Sequence, residues 1–400
     1  METKYYLGID IGKRNHAIAL TDKDGKLLMK TGNFAATSEG WQKFVSHLEK
    51  LIDHTEYPSV LAGMEATGHY WLTYYLKLKE LGMQVSVLNP LEVKAFRNEG
   101  IRGNKTDAID AEKLAKLLRF GEFKETYVPE GDLIALRQLT RLRGDFEVML
   151  TGMKQKILAV LDQTFPEYRT VFKKVWSATS LAILTQAHTP EAITLLSTRE
   201  LVAIARKASR GRIKEGEIAK LQTMAKETIG VKVGGDMFSL ALDILLSQIE
   251  HLQGKIDLLE KKIADLSKNL EPYLVSIPGI GPITNAITLA EIGNFNRFIG
   301  LDGAEKLVAF AGIDPKLKTS GQFVGKTKMS KRGSPYLRCA IRQSAFVAVF
   351  TAKDPMFSKI YEKQINRGKH FEVALSHVER KMLHVIYSLL KNKTEYVPKI

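Results

Sequence analysis

Tyr5-Tyr6-Leu7-Gly8-Ile9-Asp10-Ile11-Gly12 opens the chain with a β-rich run that ends on an acidic residue close to glycines. His16 to Leu20 resumes as a second strand, and Asp22-Lys23-Asp24-Gly25 is a turn signal leading into Lys26 to Lys30, so a hairpin is expected. Helical periodicity follows over Trp41 to Ile52, a short buried strand over Ser59 to Glu65, a helix over Tyr70 to Leu81 and a strand over Gln84 to Leu88. A hairpin followed by strand–helix–strand units predicts a mixed sheet covered by helices, an α/β domain. Lys94 to Lys105 is basic and contains glycine, with Arg97, Arg102 and Lys105; a helix is expected over Thr106 to Phe120 with Thr106 as its N-cap.

From Leu133 the period changes. Leu136, Leu139, Phe146, Leu150, Met153, Ile157 and Val160 follow a 3-4 spacing, as do Leu242, Leu245, Ile249, Leu252, Ile256, Leu259, Ile263, Leu266 and Leu270. Two long helices with coiled-coil seams are predicted. Such a seam serves self-association or pairing inside one chain, and the sequence leaves both open. Phe165 to Gly235, between them, reads as short helices with a basic turn at Arg206, Lys207, Arg210, Arg212 and Lys214, either solvated surface or a backbone contact. Ile277-Pro278-Gly279-Ile280-Gly281-Pro282 precedes a helix over Ile283 to Ile292; it reads as a helix-hairpin-helix-like element or as a tight turn that needs small residues. The expected domains are 1–125, 126–272 and 273–400.

The chain has 400 residues and a formal charge of +15. That length allows two or three cores, and the basic excess favours a polyanionic partner through counterion release. The single cysteine, Cys339, excludes an internal disulfide and a Cys-ligated zinc site. With no basic-then-apolar leader and no apolar run of about 18 residues, the expectation is a cytoplasmic protein that neither leaves the cell nor spans a membrane.

Four carboxylates stand out. Asp10 and Glu65 end strands, and Asp107 and Asp110 lie three apart on one helix face. Strand ends and a helix face can converge; carboxylates gathered there repel unless a divalent cation neutralises them, and Mg²⁺ prefers such hard oxygen ligands. Two ions about 4 Å apart could then activate a nucleophile and stabilise a leaving oxygen on phosphorus. Taken singly, Asp107 and Asp110 also suit a first helical turn, and Glu65 a surface strand end.

A second constellation spans Lys316 to Arg338, with seven basic residues and no acidic one. Lys326, Lys328, Lys331, Arg332 and Arg338 there, with Arg102 and Lys105 earlier, are candidate nucleic-acid contacts. Ser320, beside Gly321 among these cations, reads either as a nucleophile for phosphorus or as a turn residue. No His-Asp partnership accompanies it, so a hydrolase triad is not supported.

Gly-Ile-Asp-Ile-Gly, Gly-Met-Glu-Ala-Thr-Gly and Lys105-Thr-Asp-Ala-Ile-Asp-Ala111 resemble the N-terminal domain of the DEDD transposases of insertion-sequence family 110, relatives of the Piv-type DNA invertases. Ile277-Pro-Gly-Ile-Gly-Pro, Phe310-Ala-Gly-Ile-Asp-Pro, Thr319-Ser-Gly and Lys331-Arg-Gly-Ser-Pro-Tyr-Leu-Arg resemble that family's C-terminal transposase domain. The resemblance covers roughly residues 5–120 and 275–390.

It implies a RuvC-like, RNase H-type N-terminal fold whose acidic residues, here Asp10, Glu65, Asp107 and Asp110, bind Mg²⁺. It also implies a serine, here Ser320, that attacks DNA covalently. Further implications are donor and target DNA as substrates, a structured bridge RNA as guide, and dimers that pair into a tetrameric synapse in a prokaryotic nucleoid. The function so implied is RNA-guided, Mg²⁺-dependent, site-specific recombination of a mobile element through a phosphoserine intermediate. Competing readings are a RuvC-like nuclease that uses water and a non-catalytic RNA- and DNA-binding scaffold.

Overall fold

The computed structural model describes residues 2–66, 68–97, 106–121, 123, 125–268, 270–316, 319–320, 323–324 and 328–398, without the side chains of 30–32, 91–92, 95, 97, 319–320 and 323–324. The chain divides into two compact units, Met1–Val128 and Pro129–Ile400.

The first unit is built on a five-stranded mixed sheet. Its strands are β1 (Tyr5–Ile11), β2 (Asn15–Asp22), β3 (Leu27–Ala35), β4 (Val60–Glu65) and β5 (Gln84–Leu88), in spatial order β3-β2-β1-β4-β5. β1, β2 and β3 are antiparallel neighbours, while β4 runs parallel to β1 and β5 parallel to β4. The turn after β2 closes as its sequence predicts: Asp22 accepts from the backbone N–H groups of Asp24 and Lys26, and Gly25 takes φ +87°.

Alternation along β1 defines two faces. Leu7 and Ile9 are fully buried against a layer that includes Phe44 and Leu48 of α1 (Ser38–Glu49) and Tyr74 and Leu78 of α2 (Trp71–Glu80). A second layer comprises α3 (Pro90–Arg97) and α4 (Asp107–Phe120), with Val93, Leu114, Leu117 and Leu118 in one small core. Lys94 to Arg97, read from the sequence as part of a basic segment, is the last turn of α3.

In the second unit, α5 (Asp132–Thr164) and α11 (Gly235–Ser267) are the two long helices the heptad spacing predicts. Between them lie α6 (Tyr168–Val171), α7 (Ala178–Gln186), α8 (Pro190–Leu195), α9 (Thr198–Ser209) and α10 (Glu215–Glu227). Leu150, Ile157 and Leu161 of α5 share a core with Leu242, Leu246, Ile249, Leu252 and Ile256 of α11, and the short helices add Ile183, Leu201 and Leu221. The two seams therefore cover each other within the chain, with Tyr168 buried among them.

The rest of the unit contains α12 (Pro282–Ile292), α13 (Gly303–Ala311), α14 (Pro335–Phe350), α15 (Pro355–Ile365) and α16 (Phe371–Asn392) around a separate apolar core. Two short ribbons interrupt it: β6 (Pro315–Lys316) pairs with β9 (Lys328–Met329), and β7 (Thr319–Ser320) with β8 (Phe323–Val324). Before α12, a 3-10 turn over Pro272–Ser276 is followed by a tight turn in which Gly279 has φ +92°. A Cβ on Gly279 would lie 2.3 Å from the Ser344 carbonyl oxygen of α14, so its small size serves packing. Among the described residues no helix is long and apolar enough to cross a membrane.

Glu379 of α16 is only 3% exposed, and burial pushes its carboxyl up to about 7, against the opposing charges of Arg342 and Arg338. Between the ordinary value of 4.5 and about 7 the folded state holds a proton that the unfolded chain has lost, so stability falls as pH rises through this window. Glu379→Gln is expected to raise the unfolding temperature at pH 8, by a stabilisation on the order of 2 kcal/mol, and to change little at pH 4.5. Equal shifts at the two pH values would contradict this.

Candidate functional site

β1 and β4 carry glycines at the same register position, Gly8 opposite Gly63. A Cβ at Gly8 would come within 2.1 Å of the Ala111 carbonyl oxygen, and one at Gly63 within 2.6 Å of the Leu118 side chain. α4 therefore lies directly on this face, and Ala17 and Ala19 of β2 continue the small-residue floor by packing with Ala111.

Two residues along each strand the same face carries Asp10 and Glu65, both half-buried. Strand spacing of about 4.8 Å makes them neighbours. α4 begins at Thr106, whose hydroxyl accepts from the Ile109 N–H, so the cap fixes where the first helical turn starts. Asp110 in that turn is 4% exposed and directly precedes Ala111, whereas Asp107 is exposed.

Asp10, Glu65 and Asp110 thus belong to one end of one sheet face and the helix laid on it. Asp107 stands on the solvent side of the same turn. Among the described residues, no group of three or more histidine, cysteine or acidic side chains takes up metal-binding spacing. The donor chemistry nonetheless suits a hard divalent cation, because these are carboxylate oxygens from three separate elements and one is nearly buried.

His16 is a buried neighbour that belongs to the opposite layer. Its ring contacts Phe34 and Tyr74, Nδ1 accepts from the Gly12 N–H, and burial lowers its pKa, so it is part of the apolar core.

The second group of candidates lies around the ribbons of the second unit. The backbone of Ser320 is in β7, paired with Phe323; its side chain is outside the described residues. The base of the ribbon is closely braced. The Ser330 N–H donates to the Asp314 carbonyl and Lys331 N–H to Gly312, and the Ser330 hydroxyl donates to the Asp314 carboxylate. Gly333 is needed at this crossing, since a Cβ there would lie 2.0 Å from the Phe310 carbonyl oxygen. Lys328, Lys331 and Arg332 are exposed, whereas half-buried Arg338 donates to the Ala311 carbonyl at 2.9 Å and so braces α13. Arg102, Lys105 and Lys326 lie outside the described residues.

An ionic tie that the sequence reading missed anchors the segment following the ribbon. Glu291 of α12, 1% exposed, receives Arg141 of α5 through a fork of 2.7 and 3.0 Å and the Ser334 hydroxyl at 2.8 Å. Arg137 donates to the Ala290 and Glu291 carbonyls, and the Arg141 guanidinium lies 4.9 Å from the centre of the Tyr336 ring. Burial works to raise the Glu291 pKa, yet Arg141, Arg137 and Ser334 together hold it below the ordinary carboxylate value. Ser334 also caps α14, accepting from the Leu337 N–H. The available signal was Glu291 itself, the lone charge in the apolar stretch Pro282–Ile292, which requires a buried partner.

A transposase model of the IS110 DEDD type matches residues 7–166, and a model for the IS116/IS110/IS902 transposase family matches residues 271–362. The chain belongs to this IS110-type transposase family. Similar proteins include a mini-circle putative transposase for IS117 from Streptomyces coelicolor, 25% identical over 98% of this chain and 95% of its own. Others are a pilin gene-inverting protein of Moraxella bovis, 22% identical over 100% of this chain and 99% of its own, and an uncharacterized 42 kDa protein of insertion element IS900 from Mycobacterium paratuberculosis, 25% identical over 76% and 75%.

Gly8→Ala is expected to lift α4 and destabilise the first unit by about 2–3 kcal/mol, measured by urea unfolding; wild-type stability would show that α4 is not seated on Gly8. Arg141→Ala leaves Glu291 without its fork and should destabilise the second unit by about 2–4 kcal/mol, with the loss shrinking as acid protonates Glu291.

Proposed function

We propose that this protein is an RNA-guided, Mg²⁺-dependent, site-specific DNA recombinase of a mobile element that rejoins DNA through a phosphoserine intermediate. The observation that carries the reading is the near-complete coverage of the chain by relatives of two kinds, insertion-element transposases and pilin gene-inverting proteins. Both names describe rearrangement of DNA segments. The sheet order β3-β2-β1-β4-β5, with three antiparallel strands followed by parallel ones, supports an RNase H-like, RuvC-like first domain. Domain bounds of 1–125, 126–272 and 273–400 belong to the same proposal.

Asp10, Glu65, Asp107 and Asp110 are the residues that would hold Mg²⁺, which bound there supplies charge neutralisation and polarisation of the scissile phosphate. The chain's own residues do the rest. Ser320 Oγ attacks phosphorus, forming a phosphoserine ester as the deoxyribose hydroxyl leaves with a proton. Attack by the hydroxyl of a second strand re-forms the phosphodiester and returns the proton to Ser320. The number of phosphoester bonds is unchanged, so no ATP is required. Lys326, Lys328, Lys331, Arg332 and Arg338, with Arg102 and Lys105, provide phosphate contacts and offset charge developing at phosphorus.

The formal charge of +15 supports donor DNA, target DNA and a structured bridge RNA as partners. Self-association as dimers that pair into tetramers is supported by Met237, Leu240 and Ile244, which stay exposed at 3-4 spacing on α11 while its seam is covered.

The test is strand exchange between donor and target plasmids in the presence of the element's non-coding RNA. Product is expected with the wild-type chain and Mg²⁺, and a loss of at least about 1000-fold is expected with Asp10→Asn, Ser320→Ala or a chelator. Cleavage that survives Ser320→Ala would identify a nuclease that uses water, and binding without strand breakage a scaffold.

A further inference from the structure

The segment between the long helices contains a surface groove of about 440 Å³. Its walls include Leu158 of α5, Arg169 of α6, and Lys173, Lys174, Trp176 and Ser177 in the connection to α7. Lys154 of α5 lies 5.7 Å from the centre of the Trp176 ring. Arg169 pairs with Asp162 at 3.6 Å in an exposed contact, but among the described residues neither Lys173 nor Lys174 has a carboxylate within salt-bridge distance. Both lysines are exposed, and the indole is half-buried.

A second concavity of about 220 Å³ shares Ser177 and is lined by both Arg212, in the basic turn after α9, and the acidic Glu217 of α10. In the first groove, three cations, Arg169, Lys173 and Lys174, thus stand beside an aromatic ring with no carboxylate in the lining. Adjacent like charges repel, so their natural complement is an anion. A ligand with anionic groups at intervals and a planar group between them satisfies the whole track. A nucleic-acid duplex offers the phosphates, but its bases are stacked inward and leave the recess beside Trp176 unfilled.

Building on the reading that this protein acts on nucleic acid, we propose that the groove seats a single-stranded nucleic-acid segment, with phosphates on Arg169, Lys173 and Lys174 and an unpaired base against Trp176. The segment lies outside the carboxylate set and the Ser320 ribbon, so its role is to hold a strand rather than to cut it. Unpaired RNA and unpaired DNA share this chemistry.

Fluorescence anisotropy of the full-length chain with labelled ten-nucleotide oligouridylate, oligothymidylate and a duplex of equal length tests the proposal. Lys173→Gln/Lys174→Gln is expected to weaken single-strand binding about tenfold and to reduce the slope of log affinity against log salt by about 1.4, two phosphates at about 0.7 each. Trp176→Ala should weaken it about tenfold with little change in slope, and Trp176→Phe should restore most of the loss. The oligonucleotide that loses more affinity identifies the strand type, and duplex binding should hold.

Unchanged single-strand affinity and slope in the lysine variant, or an equal loss on duplex, overturns the proposal; this arm decides even if Trp176→Ala fails to fold. Ser320→Ala should bind the oligonucleotides like wild type. Failure of strand exchange with these binding effects intact would therefore remove the recombinase reading and leave the groove standing.

Discussion

Gly8 and Gly63 sit side by side in adjacent parallel strands, and α4 lies so close over Gly8 that a single methyl group would collide with its backbone. This contact sets the height of the helix above the sheet. It also links fold to chemistry, because Asp10 and Glu65 follow those glycines by two residues and Asp110 precedes the alanine that meets Gly8. Small residues on a sheet usually weaken it. Here they allow a helix to bring its first turn to the strand ends, where carboxylates from separate stretches of sequence belong to one surface.

The second unit solves a different problem, that of holding a short irregular ribbon in a largely helical structure. Backbone hydrogen bonds between residues 312–314 and 330–331 brace its base, and the Arg141–Glu291–Ser334 tie fixes the chain just beyond it. A buried ion pair is weak as a source of net stability but strongly directional once formed. Its geometry suits an anchor: the planar fork of Arg141 on the long helix α5 fixes both α12 and the cap of α14.

Much of this was legible in the sequence wherever one local rule sufficed. β1 and β5 begin and end where alternation and turn residues placed them, Thr106 caps α4, and the heptad spacing located α5 and α11. Identity of partners was not legible from spacing, because a seam covered inside the chain has the same pattern as one covered by a second copy. α3 was hidden by the basic residues of Lys94 to Lys105, and the ribbons are too short to show a period. Gly279 was legible as a turn residue, but its close approach to α14 is a tertiary fact that no local pattern shows. For the site, chain order pointed to the carboxylates, but the Arg141–Glu291 link joins residues 150 positions apart and no local pattern announces it.

The central claim is that phosphodiester energy is conserved on a protein side chain. Its most direct test is to trap the full-length chain on labelled donor-junction DNA with Mg²⁺ and the flanking non-coding RNA, digest the complex and locate the nucleotide-bearing peptide by mass spectrometry. The account predicts a phosphoserine-linked nucleotide at Ser320, absent after Ser320→Ala. Cleaved DNA with no nucleotide attached to any residue would contradict it and transfer the attack to water.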